Sequence, residues 1–162
     1  MITTTSFAPT KSDLFKVLIT RYFKKKWWLI LLIIVVGGSS LLAPHWEDSS
    51  TYLFPLTLAI VFPLLICYSF WRYLSSKDNR ALFLSRYFSM DYENINTVLE
   101  DGSTSSVKIG NFTKWERIAG NYLIYITNTQ YYIIPMSSFK SSQDLKWFEV
   151  NILGKISMPG FM

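Results

Sequence analysis

The chain has 162 residues, of which 50% are hydrophobic and 17% are aromatic, and its formal net charge is +5 at pH 7. This length allows one small domain or a membrane segment joined to a smaller domain, and the single Cys67 excludes an intrachain disulfide. The basic excess flanks two apolar stretches instead of covering the polar half, which argues against nucleic-acid binding.

Residues 1–26 predict a frayed start followed by an amphipathic or juxtamembrane helix. Residues 1–9 are rich in Ser and Thr, and Thr10 with Asp13 has the spacing of a capping box. Apolar side chains then recur about once per helical turn. Three interpretations stay open, because this helix could lie in the membrane interface, pack on the C-terminal domain or extend the first apolar stretch.

Two uncharged stretches, Trp27–Trp46 and Tyr52–Trp71, predict a transmembrane hairpin over residues 27–74. Each could cross a bilayer core of about 30 Å as a helix that rises about 1.5 Å per residue. Basic residues flank the pair, and the loop between them carries Glu47 and Asp48. By the positive-inside rule, we expect a multi-pass protein of the bacterial inner (plasma) membrane with both chain ends in the cytoplasm.

The ends of this hairpin carry side chains typical of a membrane border. Lysine and arginine side chains can reach lipid phosphates, while indole rings favour the interface. Membrane lipids are therefore expected partners. The predicted boundary residues are Lys24, Lys25, Lys26, Trp27, Trp28, Trp71 and Arg72.

Residues 81–162 predict a small antiparallel β domain with a closing helix. Asp101-Gly102 predicts a tight turn, and Thr113–Ile118, which lacks strand-like alternation, predicts a short helical turn. Strands are expected at Phe83–Met90, Ile95–Leu99, Ser105–Ile109, Tyr122–Thr127 and Tyr131–Ile134.

The closing helix has a start and a stop signal in the sequence. Ser141 and Asp144 repeat the capping-box spacing, Leu145 and Phe148 share one helical face, and Gly154 is expected to end the helix. The predicted fold class is a membrane α-helical hairpin plus a small α+β cytoplasmic domain.

We find no pattern of residues that indicates catalysis, a cofactor or a metal. The single His45 lies in the predicted outer loop with only Glu47 and Asp48 nearby, and a metal site needs several convergent ligands. No nucleotide-binding, hydrolase or zinc-protease motif occurs in the sequence. The expectation is a non-enzyme with no cofactor and no catalytic or metal-binding residues.

Four residues are candidates for binding a partner. Trp115 with Glu116 could form a recognition edge, although Trp115 could equally close one end of the β core. Tyr122 and Tyr132 could be cross-strand neighbours, depending on the strand register. A role in stacking nucleic-acid bases is not expected, because no basic residues separate the tyrosines of this region.

Five short segments carry a resemblance to a known family: Ser12–Phe15, Trp115–Ile118, Tyr122–Ile126, Ile133–Phe139 and Trp147-Phe148. With these segments, the order of features along the chain resembles that of the YcxB-like membrane proteins of bacteria. The resemblance implies a domain similar to pleckstrin-homology (PH) domains, used for binding or scaffolding rather than catalysis. Where that family carries a basic residue after an Ile-Pro step, this chain has Met136, so a headgroup contact there would be missing.

The sequence therefore favours a non-enzymatic inner-membrane protein that presents a PH-like cytoplasmic domain. Its partner would be a protein, a second copy of the chain or lipid headgroups, and small size and topology also suit an immunity-type protein. Pro63, inside the second stretch, predicts a kink and motivates the alternative of a homo-oligomeric transporter or channel subunit. The lack of Asp, Glu, Lys and Arg in either stretch argues against that alternative.

Overall fold

The computed structural model describes residues 1–42 and 50–156, so His45, Glu47 and Asp48 lie outside the described residues. The chain is a small α+β protein with two antiparallel sheets and helices. It divides into two units, one formed by Met1–Asp13 with Arg80–Met162 and the other by Leu14–Asn79.

The second unit contains α2 (Trp27–Leu42), α3 (Ser50–Ser75) and the part of α1 (Lys11–Lys25) from Leu14 onward. The predicted capping box is confirmed, because the Asp13 N–H donates to Thr10 Oγ1 at 3.2 Å and the Thr10 N–H donates to Asp13 Oδ2 at 3.3 Å. α2 packs against α3, and α3 is helical on both sides of Pro63.

Among the residues that the structure describes, no helix has both the length and the apolarity that crossing a membrane requires.

Four strands form the first sheet in the order β1-β2-β3-β4, all antiparallel. Gly102 closes the turn between β3 and β4 with φ +83°, a backbone conformation that glycine adopts without strain. The predicted Asp101-Gly102 turn is therefore confirmed. The strands are β1 (Ile2–Thr3), β2 (Arg86–Met90), β3 (Asn94–Leu99) and β4 (Thr104–Lys108).

The expectation of a frayed start over residues 1–9 is wrong, because this segment pairs with β2. Ile2 lies opposite Met90, and the Thr4 N–H donates to the Phe88 carbonyl at 2.9 Å. Phe7 and Arg86 exchange backbone hydrogen bonds of 2.9 Å further along. The Ser- and Thr-rich composition does not reveal this, since the acceptor strand lies far away in sequence.

The second sheet contains β5 (Lys114–Ile118), β6 (Asn121–Tyr125) and β7 (Tyr131–Pro135) in sequential antiparallel order. The helical turn predicted at Thr113–Ile118 is wrong, because β5 pairs along its whole length with β6. Its charged residues hide the alternation of a strand, and the hydrogen-bonding partner decides the conformation. β6 is buried on both faces.

Helix α4 (Ser142–Asn151) closes the β unit, and its predicted N-cap is confirmed, since Ser141 Oγ accepts from the Asp144 N–H at 3.1 Å. The predicted stop at Gly154 is wrong: α4 ends at Asn151 and a 3-10 turn follows at Leu153–Lys155. Gly154 also lacks the positive φ of a glycine cap. The core joins both sheets and α4, with Phe88, Met90, Ile95, Tyr122, Ile124, Ile134, Phe148 and Ile152 at its centre.

Candidate functional site

Tyr122 is a residue of the core, with only 1% of its surface exposed. Its ring packs against Phe148 of α4 at 5.4 Å, and its hydroxyl donates a hydrogen bond to the Glu149 carboxylate at the edge of the core. Burial, followed by the hydrogen bond and charge of Glu149, raises the pKa of Tyr122 to about 12. Its aromatic ring is therefore not available to a partner.

Tyr132 also points inward, since its ring lies 5.7 Å from Phe88 and 5.9 Å from Phe112. Its hydroxyl lies 3.1 Å from Ser105 Oγ on β4, which links the two sheets. The register places Tyr132 opposite Ile124 and Tyr122 opposite Ile134, so the two tyrosines are diagonal cross-strand neighbours and not a directly opposed pair. Both tyrosines share one face of the sheet but are displaced along it.

Trp115 and Glu116 face opposite sides of β5, as neighbouring strand residues must. The half-buried Trp115 packs edge-on against Tyr122 at 6.1 Å and lies against the core, which agrees with its role as a closing residue. Glu116 lies 3.6 Å from Lys114, whose ammonium stacks over the Tyr125 ring at 4.7 Å. The four predicted partner-binding residues therefore do not form one exposed site.

An exposed aromatic patch, which the sequence did not indicate, lies between the β2–β3 loop and α4. Tyr92 is exposed and contacts the half-buried Trp147 ring at 5.2 Å. Lys155 Nζ donates to the Tyr92 carbonyl at 2.7 Å and lies 5.6 Å from the Tyr92 ring. We call Tyr92 and Trp147 the Tyr92 patch.

The predicted boundary residues lie at the ends of the three helices. Lys24 and Lys25 end α1, Trp27 and Trp28 begin α2, and Trp71 and Arg72 fall in the last part of α3. All three of these tryptophans are exposed, and Lys26 Nζ stacks over the Trp28 ring at 5.7 Å.

The predicted amphipathic helix α1 packs within the helical unit Leu14–Asn79, which we call the hairpin unit because it contains α2 and α3. Phe15 contacts Trp71 edge-on at 6.2 Å, and Tyr22 contacts Phe70 edge-on at 5.9 Å. Both aromatic partners belong to α3. These contacts place α1 against the second helix of the hairpin, an arrangement that the three sequence interpretations did not include.

The carboxylates with shifted pKa values accept backbone hydrogen bonds within turns. Asp91 accepts hydrogen bonds from the backbone N–H groups of Glu93 and Asn94 at 2.8 and 2.7 Å, and these bonds lower the pKa of Asp91. The Ser103 N–H does the same for Asp101 at 2.9 Å. Within the described residues, no group of three or more His, Cys, Asp or Glu side chains could hold a metal ion.

Comparison with known protein families gives a match to one region of the chain. The family model described as "YcxB-like protein" matches residues 92–148, from the Tyr92 patch to the middle of α4. No curated protein and no solved structure matches the chain.

Proposed function

Proceeding from the YcxB-like domain at residues 92–148, we propose that this chain is a non-enzymatic, membrane-anchored binding protein. In this proposal the α2–α3 hairpin lies in the bacterial inner membrane and holds a PH-like domain at its cytoplasmic surface. The domain then binds a protein partner or lipid headgroups there.

The observation that carries the proposal is the apolar surface of the α2–α3 hairpin. An uncovered patch of this kind is costly in water and marks a surface that lipid or another protein covers. Basic and indole side chains border the patch, which favours lipid as its environment. The exposed large apolar residues are Leu31, Leu32, Ile34, Val35, Leu58, Ile60, Val61, Leu64, Leu65 and Tyr68.

A binding role for the β unit is supported by the positions of its carboxylate and aromatic side chains. Its shifted carboxylates are engaged in turns, and its aromatic residues are mostly in the core. The Tyr92 patch, in contrast, offers exposed apolar surface beside the ammonium of Lys155. Aromatic residues of this kind are enriched at protein interfaces. Two antiparallel sheets with a closing helix support the PH-like fold that the resemblance implies.

Leu64→Arg tests the membrane anchor, and Val150→Arg is a matched control. The two side chains are 61% and 64% exposed, so in water either arginine is tolerated equally. In a bilayer, an arginine on α3 costs about 2.5–3.5 kcal/mol when it lies near the centre. We therefore expect Leu64→Arg to lower the fraction of chain that sediments with washed membranes, while Val150→Arg leaves this fraction unchanged.

Fractionation after an alkaline carbonate wash gives the readout, with reporter tags at the two chain ends to determine their side of the membrane. Release of the unaltered chain by carbonate would contradict the anchor. Equal behaviour of the two arginine variants would also contradict the anchor, because an arginine at Leu64 would then cost no more than one on a surface that faces water.

A further inference from the structure

A cavity of about 240 Å³ lies within the hairpin unit, where the end of α1 meets the start of α2 and the C-terminal half of α3. Pockets for drug-sized ligands usually measure about 300–1,000 Å³, so this one has room for a small chemical group or for part of a larger molecule. The residues that line it are Leu18, Arg21, Tyr22, Lys25, Lys26 and Phe70.

One face of α1 supplies most of this lining. Leu18, Arg21, Tyr22 and Lys25 are separated by three or four residues, the spacing that stacks side chains along a helix. The Lys26 N–H donates to the Tyr22 carbonyl at 2.8 Å, which holds the bend that leads into α2. The cavity is therefore built on ordered backbone.

The lining divides into an apolar and a basic part. Leu18, Tyr22 and Phe70 form the apolar part, in which the two rings contact edge-on at 5.9 Å. Arg21, Lys25 and Lys26 supply the basic part, and among the described lining residues none is a carboxylate.

The basic part of the lining suits an anion. Arg21 and Lys25 lie one turn apart on α1, the spacing at which two side chains can contact the same group. A phosphate is the best match, because guanidinium and ammonium groups donate charge-assisted hydrogen bonds to its oxygens.

We propose that this cavity binds the phosphate of an anionic phospholipid. The basic side chains contact the phosphate, while the apolar part packs against the glycerol and the first methylene groups. The inference deepens the proposed function and rests on it, since the lipid source requires that Trp27, directly after Lys26, begins a membrane-embedded helix.

The test compares Lys25→Gln with Lys16→Gln in the purified full-length chain. Both changes remove one positive charge from α1, but Lys16 is exposed, does not line the cavity and lies about half a helical turn around the axis from Lys25. The probe is dihexanoyl phosphatidylglycerol, a water-soluble anionic lipid, whose binding is measured by native mass spectrometry. Dihexanoyl phosphatidylcholine and inorganic phosphate serve as comparison ligands.

We expect Lys25→Gln to weaken phosphatidylglycerol binding about fivefold, because each basic residue contributes about 1 kcal/mol near an anionic lipid. Lys16→Gln should leave binding unchanged, and phosphatidylcholine should bind more weakly than phosphatidylglycerol. Equal losses in the two variants, or no binding of phosphatidylglycerol, would overturn the proposal. Inorganic phosphate that binds as tightly as the lipid would identify a free phosphate as the ligand and overturn the lipid assignment.

Two controls separate this inference from the proposed function. Arg21→Gln is a second variant, and circular dichroism of each variant confirms that its helices are intact before its binding is scored. The soluble lipid needs no bilayer, so a chain that binds it yet fails to sediment with membranes retains the site and loses the anchor. A chain that sediments but does not bind retains the anchor and loses the site.

Discussion

Tyr122 combines a buried ring with a hydroxyl that reaches the exposed Glu149. The neutral hydroxyl donates to the carboxylate, whereas a tyrosinate beside the same carboxylate would be repelled and poorly hydrated. Folding therefore favours the protonated form. The stability that this preference contributes is fully present below about pH 10, the ordinary pKa of tyrosine, and is lost as the pH rises towards 12.

Tyr122→Phe should remove this pH dependence and cost about 1 kcal/mol at neutral pH, because the lost hydrogen bond ends on a carboxylate that water can reach. The measurement is the free energy of unfolding by urea at about pH 8 and about pH 11. The unaltered chain should lose more stability between the two conditions than the variant loses. Tyr87→Phe, on an exposed tyrosine of β2, should behave like the unaltered chain. An equal loss in the Tyr122 variant would contradict the assignment.

The β5–β6 turn needs a left-handed backbone at two successive residues. Ala119 and Gly120 have φ +49° and +76°, the left-handed values of a two-residue hairpin turn. A Cβ atom added at Gly120 would meet nothing within 4 Å. Any cost of substituting this glycine is therefore conformational and not steric.

Gly120→Ala should destabilise the chain by about 1–2 kcal/mol, the cost of a left-handed conformation for an L-residue. Gly110→Ala is the matched control, because its added Cβ also meets nothing within 4 Å while its φ is not positive. Chemical denaturation should show no loss for Gly110→Ala. Similar midpoints for the two variants would show that the turn relaxes without cost.

Pairing between β1 and β2 connects the chain's first residues to the C-terminal part of the sequence. The buried Thr4 Oγ1 accepts a hydrogen bond from the Phe88 N–H at 2.9 Å, and the Thr5 N–H donates to the Ser138 carbonyl at 2.7 Å. Each of these bonds satisfies a backbone group of β2 or of the segment after β7, so β1 completes the first sheet.

Thr4→Val keeps the shape of the side chain but leaves the Phe88 N–H without its acceptor. A buried donor that loses its partner costs about 1–3 kcal/mol, so we expect a loss of that size in the free energy of unfolding. Ser6→Ala should change it by less than about 0.5 kcal/mol, since the Ser6–Ser85 hydroxyl pair is exposed to water. Comparable effects of the two substitutions would mean that Thr4 contributes only local contacts.

Elements whose signals are local could be predicted from the sequence, and elements that depend on distant partners could not. The caps of α1 and α4 and the Asp101-Gly102 turn rest on residues a few positions apart. In contrast, β5 carries charged residues that obscure its alternation, and β1 has only two residues. Their strand conformation comes from pairing, which no local pattern encodes.

The residues of the candidate site also separate into those with a local sequence signal and those whose position depends on a distant partner. The basic and indole residues at the helix ends could be named from composition, and their place at a membrane boundary stays a prediction. The inward orientation of Tyr122 and Tyr132 depends on the β6–β7 register, which the sequence left open. The contact of Tyr92 with Lys155 joins residues 63 positions apart and had no sequence signal.

At the scale of the whole molecule, the β unit is discontinuous in the sequence. It combines Met1–Asp13 with Arg80–Met162, while the helices of Leu14–Asn79 are inserted between these segments. The part of the chain that the family model matches, residues 92–148, begins after β2 and therefore lacks two of the four strands of the first sheet. A fragment cut at the apparent domain boundary near residue 80 would expose the β2 edge that β1 covers.

Residues 1–13, supplied as a separate peptide, should therefore stabilise the fragment Arg80–Met162. At about 100 times its dissociation constant, a ligand that binds only the folded state contributes about 2.7 kcal/mol, which would appear as a concentration-dependent rise in the unfolding midpoint. A peptide with Thr4→Pro is the control, because proline removes both the N–H that donates to Phe88 and the hydroxyl that accepts from it. If both peptides stabilise the fragment equally, hydrophobic contact rather than strand pairing holds the segment. If neither peptide raises the unfolding midpoint, β1 contributes nothing to the stability of the fragment, and residues 1–13 are not needed for the β unit to fold.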